Sequence, residues 1–254
     1  MELRQRAASY SCRSPAALAW ANTTYKEFIK LYAYTLEDYP VVIHLDMDMV
    51  LLKPYDDLIG AFLAPDDAVK FVPNSMWPDQ RQRKQRIGIA FTRDYSTGQP
   101  GQASHLYNVQ GGFLMVRPNQ TTFSELQQIA LQGNFAHGWY DGDVKYPHYY
   151  GGETIQGILS FYYGHYHPDQ YVELDRCVHN AMAEPQRRGK DNLCYSVVNF
   201  DTGECHRDCQ LENVSDIYSI HYTNCGKSVR AKIVVATHFF VPFHYWRKSL
   251  TLSL

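Results

Sequence analysis

The sequence lacks any apolar run long enough to cross a bilayer. Ile233 to Trp246 is its most apolar stretch, and Thr237, His238 and His244 interrupt it. It also lacks an excess of positive charge: 24 Lys and Arg stand against 26 Asp and Glu, which argues against a nucleic-acid binder working through a broad basic field. The one basic run, Arg81 to Arg86, is expected to be a solvated helix or loop face. Internal repeats and low-complexity tracts are missing, and Met1 to Ala21 has basic residues without the continuous apolar core of a signal peptide. With 45% apolar, 14% aromatic and 20% charged residues the chain is globular, and 254 residues leave room for one large α/β domain or two small ones.

Cysteine is not scarce. Cys177, Cys194, Cys205 and Cys209 crowd into one polar segment, and Cys12 and Cys225 complete an even count of six. Cys205 and Cys209 have no second close-spaced pair to complete a zinc site, so disulfides are the expectation, with 3 pairings open to 4 cysteines. Three Asn-x-Ser/Thr sequons, at Asn22, Asn119 and Asn213, agree with a secretory lumen.

Apolar periodicity predicts a helix over 24–38, with Phe28, Leu31, Tyr32 and Leu36 on one face, Thr23 or Thr24 as cap and Pro40 as stop. Val41 to Leu45 is a β-branched run of the kind that forms a buried parallel strand, and Asp46-Met47-Asp48 follows at its carboxyl end. A short strand at Val50–Leu52 and a helix from Tyr55 to Phe62 come next. Further on, Gly111-Gly112 precede a strand over Phe113–Val116 and invite close approach of ligand or backbone. Helices are predicted over Thr121–Leu131 and Thr154–Tyr163, and the alternation of strands and helices reads as α/β.

Asp46 and Asp48, at i and i+2 on an extended chain, point to one side and can converge on a divalent cation at the end of a sheet, where open α/β folds bind ligands. Downstream, His221 and Lys227 flank a glycine-containing turn in SIHYTNCGK. An imidazole suits a borderline metal such as Mn²⁺ beside carboxylates, and a Lys suits a diphosphate. The tyrosines, 20 in all, cluster at Tyr146, Tyr149, Tyr150, Tyr162 and Tyr163, where core packing is the ordinary use.

Four segments in fixed order, VVIHLDMDMVLLKPYDDL, VQGGFLMVRP, GGETIQG and HYTNCGK, together resemble the glycogenin-like retaining glycosyltransferases of family 8. The cysteine-containing insertion over 175–212 is most similar to the plant glycogenin-like, eukaryotic branch. The resemblance covers roughly 23–232, leaving 1–22 as a non-family segment and 233–254 as a tail. It implies a GT-A-like nucleotide-diphospho-sugar transferase fold, a mixed sheet with helices on both faces. The first nucleotide-binding strands are expected to be missing from the amino end, together with any membrane anchor.

The same resemblance implies a function and a site. The activity is Mn²⁺-dependent transfer of a hexosyl or hexuronosyl group from a UDP-sugar, with retention, to a glycan, lipid head group or protein acceptor in the secretory lumen, with the Golgi as the expected compartment. Asp46, Asp48 and His221 are implied as metal ligands, Asp46 also on the ribose side. Lys227 would bind the diphosphate and Lys30 the phosphate or sugar. Gln110, where the family has Asn, would contact the donor sugar. The family's Asp-Gln pair becomes Ile155-Gln156, so Glu153 or Thr154 would replace the acid beside Gln156. After Lys227 the family's Pro-Trp is Ser228-Val229 here. Two other readings compete: a haloacid-dehalogenase-type phosphatase with Asp46 as nucleophile and Asp48 as acid, which needs a second acidic pair such as Asp141/Asp143, and a homologue that keeps the sheet but has lost catalysis.

Overall fold

The structure, a computed structural model, describes residues 27–72, 75, 82–83, 85–94, 109–134, 140–141, 144–145, 154–182, 197–198, 205–207, 209 and 212–222. The expected boundaries at 22 and 232 lie outside these residues.

The lead-in segment winds as a 3-10 helix over Phe28–Thr35 rather than as an α-helix. Its buried residues, Lys30 and Leu31 then Ala33 and Tyr34, recur every three positions, which is the period of a 3-10 turn. Strands β1 (Val42–Leu45) and β2 (Met49–Leu51) follow, then α1 (Asp56–Leu63), whose first-turn Asp56 and Asp57 complement its dipole. Short β3 (Lys70–Phe71) and β4 (Gln82–Arg83) pair with each other. Part of the basic run is therefore strand, although Gln82, Gln85 and Arg86 are exposed as expected of a solvated face.

Next come β5 (Ile89–Arg93), β6 (Val109–Val116) and α2 (Gln120–Gln132). Asn119 caps α2 by accepting the Thr122 N–H at 2.9 Å, and Gly133, at φ 64, closes it in the left-handed region that glycine adopts freely. After the small hairpin of β7 (Tyr140–Asp141) and β8 (Val144–Lys145), α3 (Ile155–Phe161) runs on into a π-turn over Tyr162–Tyr166. The remaining elements are β9 (Tyr171–Leu174), β10 (Ala181–Met182), β11 (Val197–Val198), β12 (Cys205–Arg207), a 3-10 turn at Val214–Asp216 and β13 (Ser219–His221).

The main sheet has the order β1-β6-β5-β9, and a second sheet has the order β10-β13-β2. Both are mixed: β5 with β9 and β10 with β13 are parallel, and the other pairs are antiparallel. All eight residues of β6 are buried because both faces of the sheet are covered. Leu114 and Val116 face a core under the lead-in helix, α2 and α3, whereas Phe113 and Met115 face a second core with Leu58 and Phe62 of α1. The expected mixed sheet with helices on both faces is present.

One strand expectation fails. Val42–Leu45 is not a buried parallel strand but lies antiparallel to β6, at the edge of the sheet among the described residues, with only Val42 of its four residues buried. Its partner is remote in sequence, and a run of β-branched residues carries no information about that pairing.

Where parallel β5 and β9 meet, Arg93 and Glu173 form a buried bidentate pair, Nε to Oε1 at 2.8 Å and Nη2 to Oε2 at 2.7 Å. Glu173→Ala takes both of these charge-assisted bonds from the buried guanidinium and is expected to cost about 3–5 kcal/mol. Urea unfolding of the two proteins measures it, and a loss below about 1 kcal/mol would mean that the pair is replaceable.

Candidate metal centre

The chain turns between β1 and β2, with the Met49 N–H on the Asp46 carbonyl at 3.2 Å and Met47 exposed at the tip. It is this turn, rather than strand alternation, that swings Asp46 and Asp48 to the same place. Two backbone bonds pin it from either side: Asp46 N–H to the Gly112 carbonyl in β6, and Tyr222 N–H to the Asp48 carbonyl, both at 2.9 Å. The register of β13 on β2 sets His221 opposite Met49, directly after Asp48.

Asp46, Asp48 and His221 thereby each offer one ligand atom, all within 4.8 Å of one another. His221 Nε2 is 3.1 Å from Asp48 Oδ1 and 3.9 Å from Asp46 Oδ2. It is buried, yet it has no hydrogen-bond partner among the described residues. A buried ring nitrogen close to two carboxylates yet hydrogen-bonded to neither is a poor arrangement for stability and a good one for a shared cation. Two hard oxygen donors with one imidazole suit a divalent ion of the manganese type.

The other expected site residues surround this centre. Lys30 is buried, and its ammonium binds Asp46 Oδ1 at 2.8 Å, Glu27 Oε2 at 2.9 Å and the Gly111 carbonyl at 3.1 Å. Burial alone would lower the Lys30 pKa, but the two carboxylates outweigh it and the net direction is upward. Asp46 shows the converse balance: burial would raise its pKa, while nearby His44, Lys30 and His221 bring it down to about 2. Asp46 is thus ionised at any ordinary pH.

Gln110 is buried, and its Oε1 accepts from the Gly112 N–H at 2.5 Å and from Asn180 Nδ2 at 2.8 Å. Gln156, on α3, lies with its Cγ against Gly111 and donates from Nε2 to Asp94 Oδ2 at 2.8 Å and to the Val109 carbonyl at 3.0 Å. Glu153, Lys227 and Asp143 lie outside the described residues, and only the backbone of Asp141 is described.

The glycine pair does what its position suggested. A Cβ on Gly112 would lie 2.3 Å from His221 Cε1, so the imidazole occupies the space a side chain would need. Sequence reading missed two participants, Asp94 and Asn180. Asp94 directly follows β5, with no neighbouring motif to mark it. Asn180 sits beside the cysteine cluster at φ 58, a left-handed conformation that Asn tolerates better than most residues and that no pattern in the sequence announces.

Cys177 is bonded to Cys209, one of the pairings open at the outset. Cys194 lies outside the described residues, and the side chain of Cys205 is not described. The bond closes a sequence separation of 32, worth about 3–4 kcal/mol in the chain-entropy picture. It also ties down the turn that leads into His179 and Asn180.

His179 is buried between Tyr55 and Tyr218, with ring centroids at 5.4 and 4.6 Å. Neither of its nitrogens has a partner among the described residues, and burial, helped by the charge of Lys53, pushes its pKa down to about 3. In the unfolded chain it titrates near 6.5. Between those values the unfolded state binds a proton that the folded state does not, so stability is full above pH 6.5 and falls as the pH drops towards 3. The slope is about 1.4 kcal/mol per pH unit at its steepest. Across this range wild type should lose stability towards acid relative to His179→Phe, and parallel curves would contradict the assignment.

Comparisons with known proteins give similarity at the level of structure alone. No protein-family model matches the chain, and no curated protein matches it. Among solved structures it is similar to mouse xyloside xylosyltransferase 1 in the apo form, at TM-score 0.41 and 14% identity, covering 85% of this chain and 68% of that one. It is also similar to an active-site mutant of LgtC, at TM-score 0.38 and 11% identity, covering 76% of this chain and 57% of that one. Galactosyltransferase LgtC in complex with donor and acceptor sugar analogs gives TM-score 0.38 and 11% identity, covering 77% and 57%. At these scores and identities the likeness carries no inference about activity.

Proposed function

We propose that this chain is a GT-A-type glycosyltransferase of the glycogenin-like family 8 that moves a hexosyl or hexuronosyl group from a UDP-sugar, with Mn²⁺ held by Asp46, Asp48 and His221. The observation that carries the reading is the buried His221 Nε2, which makes no hydrogen bond among the described residues yet lies 3.1 and 3.9 Å from the two carboxylates. Bound there, the cation would supply Lewis-acid neutralisation of charge on a departing diphosphate.

The rest falls to the chain's own groups. Lys30 holds Asp46 in one rotamer and cancels part of its charge. Gln110 fixes the backbone at Gly112, and its amide nitrogen is the group through which it would meet a sugar. Gln156, braced by Asp94, stands on the α3 side of the glycine pair. Lys227 would hold the diphosphate, and Glu153 would stand near the sugar. Retention would come from front-face attack, the acceptor hydroxyl passing its proton to the departing phosphate oxygen, a route that needs no carboxylate nucleophile. The acceptor is a glycan, a lipid head group or a protein. A Cys177–Cys209 disulfide supports an oxidising compartment, the secretory lumen, with the Golgi as the favoured site.

The test is hydrolysis of a panel of UDP-sugars with Mn²⁺ or with a chelator, the released anomer being read by NMR. Metal-dependent release of the retained anomer from at least one donor is expected, and Glu153→Gln should slow it without trapping a covalent sugar. Full hydrolysis in the chelator would exclude the metal-centred reading. Failure to bind UDP at all would favour a homologue that has kept the sheet and lost the chemistry.

A further inference from the structure

We propose that Asn180 is a positioning residue that locks His221 in its Nδ1–H tautomer, so that the Nε2 lone pair is presented between Asp46 and Asp48. This rests on the metal-centre reading above and adds a residue to it. The assignment follows from a chain of donors and acceptors that has one consistent direction. It begins at a group whose role is fixed: the backbone N–H of Gly112 can only donate, and it meets Gln110 Oε1 at 2.5 Å. That oxygen is therefore an acceptor, and the Asn180 atom 2.8 Å from it must be the amide nitrogen. The same nitrogen donates to Thr92 Oγ1 at 2.8 Å, which uses both of its protons. The Asn180 oxygen is then the atom facing His221 Nδ1 at 3.0 Å, and because it can only accept, Nδ1 carries the proton. In a neutral imidazole that leaves Nε2 as a lone pair.

The geometry around Asn180 suits this task. The residue is fully buried, with 0% exposure, and its own N–H is held by Ser219 Oγ at 2.9 Å, in the same strand as His221 and two residues before it. Ser219 is in turn bonded to the Tyr55 hydroxyl at 2.9 Å. Amide and imidazole are thus anchored to one strand, and the Cys177–Cys209 bond fixes the turn from the other side. The partners of Asn180 lie 39, 41, 70 and 88 positions away in sequence, so the network forms only when β5, β6 and β13 are all in place. A group that orients a ligating histidine through its second nitrogen typically changes metal affinity by about 10–100-fold when removed.

The experiment is two-bond ¹H–¹⁵N NMR of histidine-labelled full chain, with His221→Gln to assign the signal. Wild type should show the His221 proton on Nδ1. A neutral ring protonated at Nε2 alone would overturn the proposal, and this arm needs no Asn180 variant to fold. Asn180→Gly keeps the left-handed backbone and removes the amide. It should populate the Nε2–H tautomer and weaken Mn²⁺ binding by about 10–100-fold. Equal tautomers and equal Mn²⁺ affinity in wild type and Asn180→Gly would sink the idea. Were wild type to show the Nδ1–H tautomer yet bind no Mn²⁺, the metal centre would fall while the role of Asn180 in setting the tautomer stood.

Discussion

Gly112→Ala is expected to cost at least about 100-fold in Mn²⁺ affinity while leaving the sheet folded. The new methyl would lie 2.3 Å from His221 Cε1, 2.6 Å from Nδ1 and 2.8 Å from Gln110 Oε1. No pair of non-bonded atoms tolerates the first two distances, so either the ring or β6 must move. β6 is held on both sides by β1 and β5 and buried along its whole length, whereas among the described residues the ring is tethered by one hydrogen bond, to Asn180. The ring is the part that yields, and with it the nitrogen ligand. Alanine at the neighbouring Gly111 meets nothing closer than 3.3 Å and should change affinity only a few-fold by the same comparison. Isothermal titration with Mn²⁺ on both variants, alongside thermal melts, separates the effects. An affinity for Gly112→Ala equal to that of wild type would mean that His221 does not ligate.

Asp48→Asn should be as damaging, and for an electrostatic reason. Asp46 is already half neutralised, because its Oδ1 is bonded to the Lys30 ammonium at 2.8 Å. Only Oδ2 of Asp46 faces His221, so Asp48 brings the larger share of uncompensated negative charge to the centre. Affinity of such oxygen-rich sites follows ligand charge. Replacing the carboxylate by its neutral isostere keeps the shape and removes that charge, and metal-dependent UDP-sugar hydrolysis should fall below detection. Full hydrolysis by Asp48→Asn, measured with and without chelator, would leave no role for a metal at this position.

How far the sequence itself disclosed these features depended on whether each was local. The bounds of α1, α2 and α3 came within one or two residues of the expected ones because apolar period is a local signal. The Gly111-Gly112 pair was readable as a place of close approach, though not that an imidazole fills it. Asp46 and Asp48 were identified together, but for a mechanism the structure replaces, a turn closed by the Asp46 carbonyl instead of an extended strand. The antiparallel partner of β1 and the bonds of Asn180 and Asp94 stayed invisible. Each depends on residues tens of positions apart whose meeting is decided by topology. Lys30 was placed at the site by resemblance, yet its three partners, Asp46, Glu27 and the Gly111 carbonyl, turn its charge inward in this structure.

Mn²⁺ electron paramagnetic resonance on the full chain, titrated with and without UDP, addresses the metal centre most directly. One Mn²⁺ per chain is expected, bound more tightly when UDP is present, and lost together in Asp48→Asn and His221→Ala. Binding that survives both substitutions unchanged, or that UDP does not strengthen, would contradict a diphosphate-binding metal held by Asp46, Asp48 and His221.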